Sequence, residues 1–470
     1  MEYTHINEEL KYFNINFNFE NVLSVSLFLN QIMKFLNKDN IKSLTLCNKK
    51  IYKLYCSLVT KLKINKENDI LNIKILINKF ENINNLDLSY CNKIKDLTLI
   101  CKLERLEILN IKDTNISDIS FLEKNKNIKE LYLHNCENIK DFTHISKLER
   151  LEILDVSWTI ISDFSFLEKN KNIKELNLNS CKNINDFIPI SKLERLEILN
   201  VNDTDISDIS FIEKNKNIKE LTICSCPYIK DFIPISKLER LEILDVSETN
   251  ISDISFLEKN KNIKKLTICY CPYIKDFIHI SKLERLEILN VNYTNISDIS
   301  FLEKNKNIKE LYLHLCKNIK DFMPISKLEK LEILDVNDTN ISDISFLEKN
   351  KNIKKLHLYN CKNIKDFASI SKLERLEILK VNDTNIADIS FLEKNKNIKE
   401  LNLYNCKNIN DFTPISKLEK LEILNVSKTN ISDISFIEKN KKIKELNLYK
   451  CKNINQNDNL FSRKDIKIYI

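Results

Sequence analysis

Glycine is absent from this chain of 470 residues. That absence removes the G-x-x-x-x-G-K-S/T phosphate loop and the G-x-G-x-x-G dinucleotide turn, since both need a backbone without Cβ beside the phosphate. The G-x-S-x-G nucleophile elbow is excluded on the same ground. Turns that require left-handed backbone must fall to another residue, and Asn is the expected one. No apolar run reaches the roughly 18 residues a membrane span needs. The opening MEYTHINEELKYFN is polar and acidic, unlike a signal peptide. Fourteen cysteines without an export signal point to a reducing compartment, so an intracellular protein, cytoplasmic or nuclear, is expected. Charge of one sign is scarce too. The balance of 74 basic and 67 acidic residues leaves +7, and most of it recurs evenly in EKNKNIKEL. An even spread reads as a solvated outer face, not as the basic patch with interleaved aromatics that nucleic acid demands.

What the chain does have is a repeat. Leu106 to Arg150 reads LEILNIKDTNISDISFLEKNKNIKELYLHNCENIKDFTHISKLER. It returns with few changes from Leu151, Leu196, Leu241, Leu286, Leu331, Leu376 and Leu421, always 45 residues on. A fixed period of this size marks a solenoid. The unit holds two shorter repeats, of 22 and 23 residues. One reads L-x-x-L-x-I/V-x-x-T-x-I, as in Leu106, Leu109, Ile111, Thr114 and Ile116. The other reads I-x-x-L-x-L-x-x-C-x-x-I, as in Ile128, Leu131, Leu133, Cys136 and Ile139.

These frames resemble the leucine-rich repeat family, L-x-x-L-x-L-x-x-N/C-x-L. NISDISFL after the Thr half is similar to the short bacterial-type repeat, with Thr in place of the usual Asn. The resemblance implies an α/β solenoid, a horseshoe or arc with a parallel sheet on its concave face. Alternating L-x-L supports a short strand per rung with leucines inward. Short helical turns should line the convex face, started by the capping boxes Ser120-Phe-Leu-Glu123 and Ser146-Lys-Leu-Glu149. Nine Cys rungs and eight Thr rungs place about 17 rungs in residues 83–455. Residues 61–82 read as a degenerate first repeat, and 456–470 as a C-terminal cap. A single rung cannot bury its apolar face alone, so the array folds only as a stack.

Residues 1–18 read as a polar arm. Over 19–60 the apolar period is helical. FLNQIMKFLNKDNIKSLTLCNKKIYKLY resembles an F-box, although the L-P-x-E opening of that family is missing. The resemblance implies docking on a Skp1-like adaptor through Leu27, Phe28, Ile32, Leu36 and Ile41. The alternative is a small helical cap over the first rung.

No catalytic, metal or cofactor site is expected. Equivalent cysteines recur every second rung, about 9.6 Å apart by strand spacing and beyond disulfide reach. They read as core filler that donates weakly to a loop carbonyl. Cys224 and Cys269, in C-x-C pairs, should face outward. The six histidines do not cluster. Asp118 and Asp141, copied throughout, read as turn residues. The copies differ chiefly at exposed strand positions, which should carry aromatic columns on the concave face: Tyr132, His134, Trp158, Tyr270, Tyr293, Tyr312, His314, His357, Tyr359, Tyr404 and Tyr449. Such side chains give large contact area at little entropy cost. A protein target is therefore expected there, on a chain that is monomeric apart from its partners and neither enzymatic nor membrane-bound. It would serve as an F-box-type substrate receptor of a ubiquitin ligase, or as a stand-alone scaffold or inhibitor.

Overall fold

A computed structural model of the chain describes residues 59–64, 77–78, 80–438, 440–452, 454 and 465–470. The helical segment expected over 19–60, with Leu27, Phe28, Ile32, Leu36 and Ile41, lies outside these residues except for its last two positions, 59 and 60.

Nineteen three-residue strands lie among the described residues, each centred on a leucine or isoleucine that is buried in all but the first and last. They are β1 (Lys61–Lys63), β2 (Asn85–Asp87), β3 (Ile108–Asn110), β4 (Glu130–Tyr132), β5 (Ile153–Asp155) and β6 (Glu175–Asn177). Then come β7 (Ile198–Asn200), β8 (Glu220–Thr222), β9 (Ile243–Asp245), β10 (Lys265–Thr267), β11 (Ile288–Asn290), β12 (Glu310–Tyr312) and β13 (Ile333–Asp335). The last are β14 (Lys355–His357), β15 (Ile378–Lys380), β16 (Glu400–Asn402), β17 (Ile423–Asn425), β18 (Glu445–Asn447) and β19 (Lys467–Tyr469). Each pairs in parallel with the next along the chain, leucine opposite leucine, as Leu131 faces Leu154 and Leu154 faces Leu176. The result is one parallel sheet in chain order. Strand β1 pairs with β2 ahead of the regular frame, and β19 pairs with β18 after it.

The core runs behind the sheet as stacked columns. In the rung of β4 it takes Ile128, Leu131, Leu133, Cys136, Ile139, Phe142, Ile145 and Leu148, all buried. Burial of such columns on both flanks is the main stabilising term, since only neighbours cover a rung's faces. The cysteines fill it as expected. The Cys136 thiol donates to the Ile111 carbonyl at 3.1 Å, and the Thr114 hydroxyl donates to the same oxygen at 2.7 Å. Burial pushes the Cys136, Cys181, Cys316 and Cys406 thiols up, and Cys361 to about 11. Cys269 departs from expectation: it is buried, while Cys224 is only half-buried.

Short 3-10 turns such as Ser120–Glu123, Thr143–Lys147 and Ser165–Lys169 line the other side. The expected capping boxes do not form. The turn begins at Ser120 itself, so its own amide is the free donor, and Asp118 Oδ1 accepts it at 2.8 Å. Ser146 lies inside its turn, where Asp141 Oδ1 takes the Thr143 amide at 2.9 Å. Asp118 and Asp141 are thus turn residues, as their repetition implied.

The left-handed positions differ from the sequence expectation. A residue with φ near +55° closes each rung just after its strand, seventeen among the described residues. Asn holds three of them, Asn135, Asn360 and Asn405. The others include Trp158, Glu248, Tyr270, Tyr293 and Leu315, where Cβ costs more. A repeated backbone fixes the conformation from outside, so the residue there is not bound to the one that adopts it best.

Candidate binding face

The concave side of the sheet shows the first and third residue of every strand. Of the expected contact residues, only Tyr132, Tyr312 and His357 are strand residues. His134, His314, Tyr359, Tyr404 and Tyr449 sit two residues beyond a strand's last position, on the turn. Trp158, Tyr270 and Tyr293 take the left-handed position. The expected columns are therefore mostly a row along the corner where strands leave the sheet.

The structure brings part of that set together. Tyr270 and Tyr293 stack with centroids 4.0 Å apart and planes 16° apart. His314 meets Tyr293 edge-on at 4.9 Å, and its Nε2 lies 3.0 Å from the Tyr293 hydroxyl. His314 Nδ1 is 3.7 Å from the Asp338 carboxylate, beyond hydrogen-bonding reach, and has no hydrogen-bond partner. The Tyr293 hydroxyl, chiefly, pushes the Tyr270 phenol up. These residues come from consecutive rungs of β10 to β13.

The rest stand apart. Trp158, at β5, is about 24 Å from Tyr270 by strand spacing and 51% exposed. Beside it His134 Nδ1 lies 2.8 Å from Ser157 Oγ. Tyr132 donates its hydroxyl to Glu130 at 2.9 Å and Tyr312 donates to Glu310 at 2.8 Å. Burial first, then these carboxylates, lifts both phenols well above the ordinary tyrosine range. His357 Nδ1 is 3.7 Å from Asp335. Lys428 lies over the Tyr404 ring, 4.8 Å from its centroid, and Lys450 over Tyr449 at 5.1 Å.

Sequence reasoning missed Tyr90. It is left-handed, 58% exposed and one residue before Cys91, the slot that Tyr270 holds before Cys271. That shared slot was the available signal. Also missed was the first strand position, where Glu130, Ile153, Glu175, Ile198 and Glu220 lie side by side in register. On the opposite face a shallow depression is lined by Lys171, Lys192, Lys214 and Lys216 with Glu168 and Glu194. Among the described residues no three His, Cys, Asp or Glu side chains are grouped to hold a metal, and no helix is long and apolar enough to cross a membrane.

A family model described as Leucine Rich repeats (2 copies) matches residues 104–147 and 329–372, and the parallel one-strand-per-rung sheet agrees with it. The fold is that of a leucine-rich repeat solenoid. No curated protein sequence matches it. Among solved structures the solenoid is similar to an internalin of Listeria monocytogenes, with 26% identity, 66% of this chain and 84% of that one covered, and a TM-score of 0.53. It is also similar to a leucine-rich repeat protein of Leptospira interrogans, at 18% identity, 88% and 100% coverage and a TM-score of 0.58. A third is the ectodomain of a plant membrane receptor kinase from Arabidopsis thaliana in complex with CASPARIAN STRIP INTEGRITY FACTOR 2, at 17% identity, 84% and 56% coverage and a TM-score of 0.54.

Proposed function

We propose that the solenoid is a protein-binding module whose partner lies along the concave face and its aromatic corner row. One observation carries this reading. Trp158, Tyr270 and Tyr293 hold left-handed positions, which cost a bulky side chain more than Asn, and all three are exposed. Stacking imposes that conformation on every rung, so it is the large exposed rings in these slots, and not the strain itself, that mark a contact surface. A rigid sheet edge presents those rings with few rotamers to lose on binding. The similar Arabidopsis ectodomain is in complex with CASPARIAN STRIP INTEGRITY FACTOR 2, which supports a ligand-binding use of this fold.

The finer role, a substrate receptor of a ubiquitin ligase within the cell, rests on the sequence of residues 19–60 and on cysteine usage. The plain scaffold or inhibitor stands beside it.

A pull-down from the source cells tests both levels. The full chain should retain partners that the Tyr270→Ala, Tyr293→Ala, His314→Ala triple variant loses. Equal retention moves the site off this row. Probing the same material for a Skp1-like adaptor, with the full chain and with one starting at Lys61, separates receptor from scaffold. A full chain that never retains the adaptor ends the receptor role.

A further inference from the structure

The first strand positions of β4 to β9 alternate without exception: Glu130, Ile153, Glu175, Ile198, Glu220, Ile243, each opposite the next in register. All six are partly exposed on the concave face. The third positions add Asp155 and Asp245, so these six strands show five acids and no base at their first and third positions. Basic residues return at those positions from β10 onward, with Lys265, Lys355 and Lys380.

A lysine column runs just before the strands, but it is already committed. Lys129, Lys174, Lys219 and Lys264 reach Glu107, Glu152, Glu197 and Glu242 at 3.1, 2.6, 2.6 and 2.6 Å. Among the described residues Glu130 accepts the neutral Tyr132 hydroxyl and has no ion pair. No ion pair is found for Glu175 or Glu220 among the described residues. Burial first, and then Glu130 and Glu220, pushes the Glu175 carboxyl up, as expected of a row of like charges lacking cations.

Spacing then narrows the ligand. Alternate parallel strands stand about 9.6 Å apart. A polyproline II chain has three residues per turn and rises about 3.1 Å each, so every third side chain returns to one face after about 9.3 Å. An extended β-chain returns after about 6.6 Å, which does not match. Two turns of α-helix advance about 10.8 Å, which drifts by more than 1 Å per step. The isoleucines lie midway between the acids, under the two residues that separate successive cations.

We propose that the stretch β4–β9 of the concave face binds a polyproline II segment of another protein carrying Lys or Arg at every third position, with apolar residues between. The cations sit over Glu130, Glu175 and Glu220, and the spacers pack on Ile153 and Ile198. This inference rests on the protein-binding reading of the face and adds the chemistry of the partner.

Fluorescence anisotropy with the full chain and a peptide of repeated Lys-Pro-Pro triplets tests it. The control peptide has the same composition, with its lysines spaced alternately two and four residues apart. At low salt the regular peptide should bind about tenfold tighter than the control, and the Glu175→Lys, Glu220→Lys variant should lose about tenfold, as two exposed pairs turned to repulsions would give. Glu348→Lys on the opposite face should bind as the parent does. Glu175→Gln, which adds no charge to the fold, should show a smaller loss in the same direction. A single cooperative melting transition and the parent's far-UV circular dichroism establish that each variant is folded. Equal binding of the two peptides, no binding of the regular one, or an equal loss from Glu348→Lys overturns the proposal. So does tighter binding of a single-stranded RNA oligonucleotide that the Glu→Lys variant enhances. If the peptide fails while the Tyr270, Tyr293, His314 variant still loses captured partners, the binding face stands and only this assignment falls. If the aromatic variant also keeps every partner, both readings fall.

Discussion

The buried asparagines of this solenoid are held by carbonyls of the previous rung, and the buried threonines by a carbonyl of their own rung. Asn350 Nδ2 donates to Ile325 O at 3.0 Å and Leu328 O at 2.9 Å, and Asn170, Asn215, Asn260, Asn305 and Asn395 repeat that pair. Thr339 shares one acceptor, Val336 O, with the Cys361 thiol. Asn350→Ala removes two buried hydrogen bonds, although Ile325 O keeps the Leu328 amide and Leu328 O the Leu331 amide, and should cost about 1–3 kcal/mol, whereas Thr339→Val removes one and should cost about 1 kcal/mol or less. Urea unfolding of the two variants measures this, and equal costs would show the Asn column to be dispensable. At Glu175 the folded carboxyl titrates above its ordinary value, so its charged form is disfavoured in the fold. Glu175→Gln should therefore raise the melting temperature at neutral pH. The gain should vanish below about pH 4, where the carboxyl is protonated folded or unfolded. A gain that persisted in acid would mean packing, not charge.

The element that repeats is a strand, a left-handed residue and a 3-10 turn. Leu315 holds the left-handed position at φ 59 with a side chain ill suited to it. Leu315→Asn should stabilise by up to about 1 kcal/mol, read as a higher urea midpoint. Loss of stability would show that Leu315 packs against something that repays its strain. The turns have their own titration. The amide two residues on, chiefly, holds the Asp118, Asp253 and Asp433 carboxyls below the usual range. A depressed carboxyl stabilises above its unfolded value and stops doing so as pH falls through its folded one. The array should hold its melting temperature down to about pH 4 and lose it progressively below. Asp253→Asn should be less stable than the parent at neutral pH and converge on it in acid. A difference independent of pH would place the role of Asp253 outside its charge.

Over the whole molecule, contacts run from each strand and turn to the adjacent rungs. Stability is then nearly a sum of rungs and their interfaces. Removing Leu241–Arg285, one exact unit, should leave a folded array with the same far-UV circular dichroism per residue. The slope of its urea transition should shrink by roughly a tenth, with the surface it no longer buries. Collapse of the transition instead would show that the array depends on contacts beyond nearest neighbours. The same locality spreads the face: Tyr132, Trp158 and the Tyr270–Tyr293–His314 cluster can contact one partner only if it is long.

The sequence by itself determined the period, the strands, the buried columns, the Asp-held turns and the cysteines as core, because each follows from local pattern and from apolar burial. It could not decide what closes a rung, since the backbone conformation there is imposed by stacking and not by the residue's own preference. Nor could it show which aromatics meet. Tyr270, Tyr293 and His314 are 23 and 21 residues apart, and only parallel register sets their turns side by side. The acids and isoleucines of β4–β9 became one stripe for the same reason: a residue's neighbour on this face lies one whole rung away along the chain.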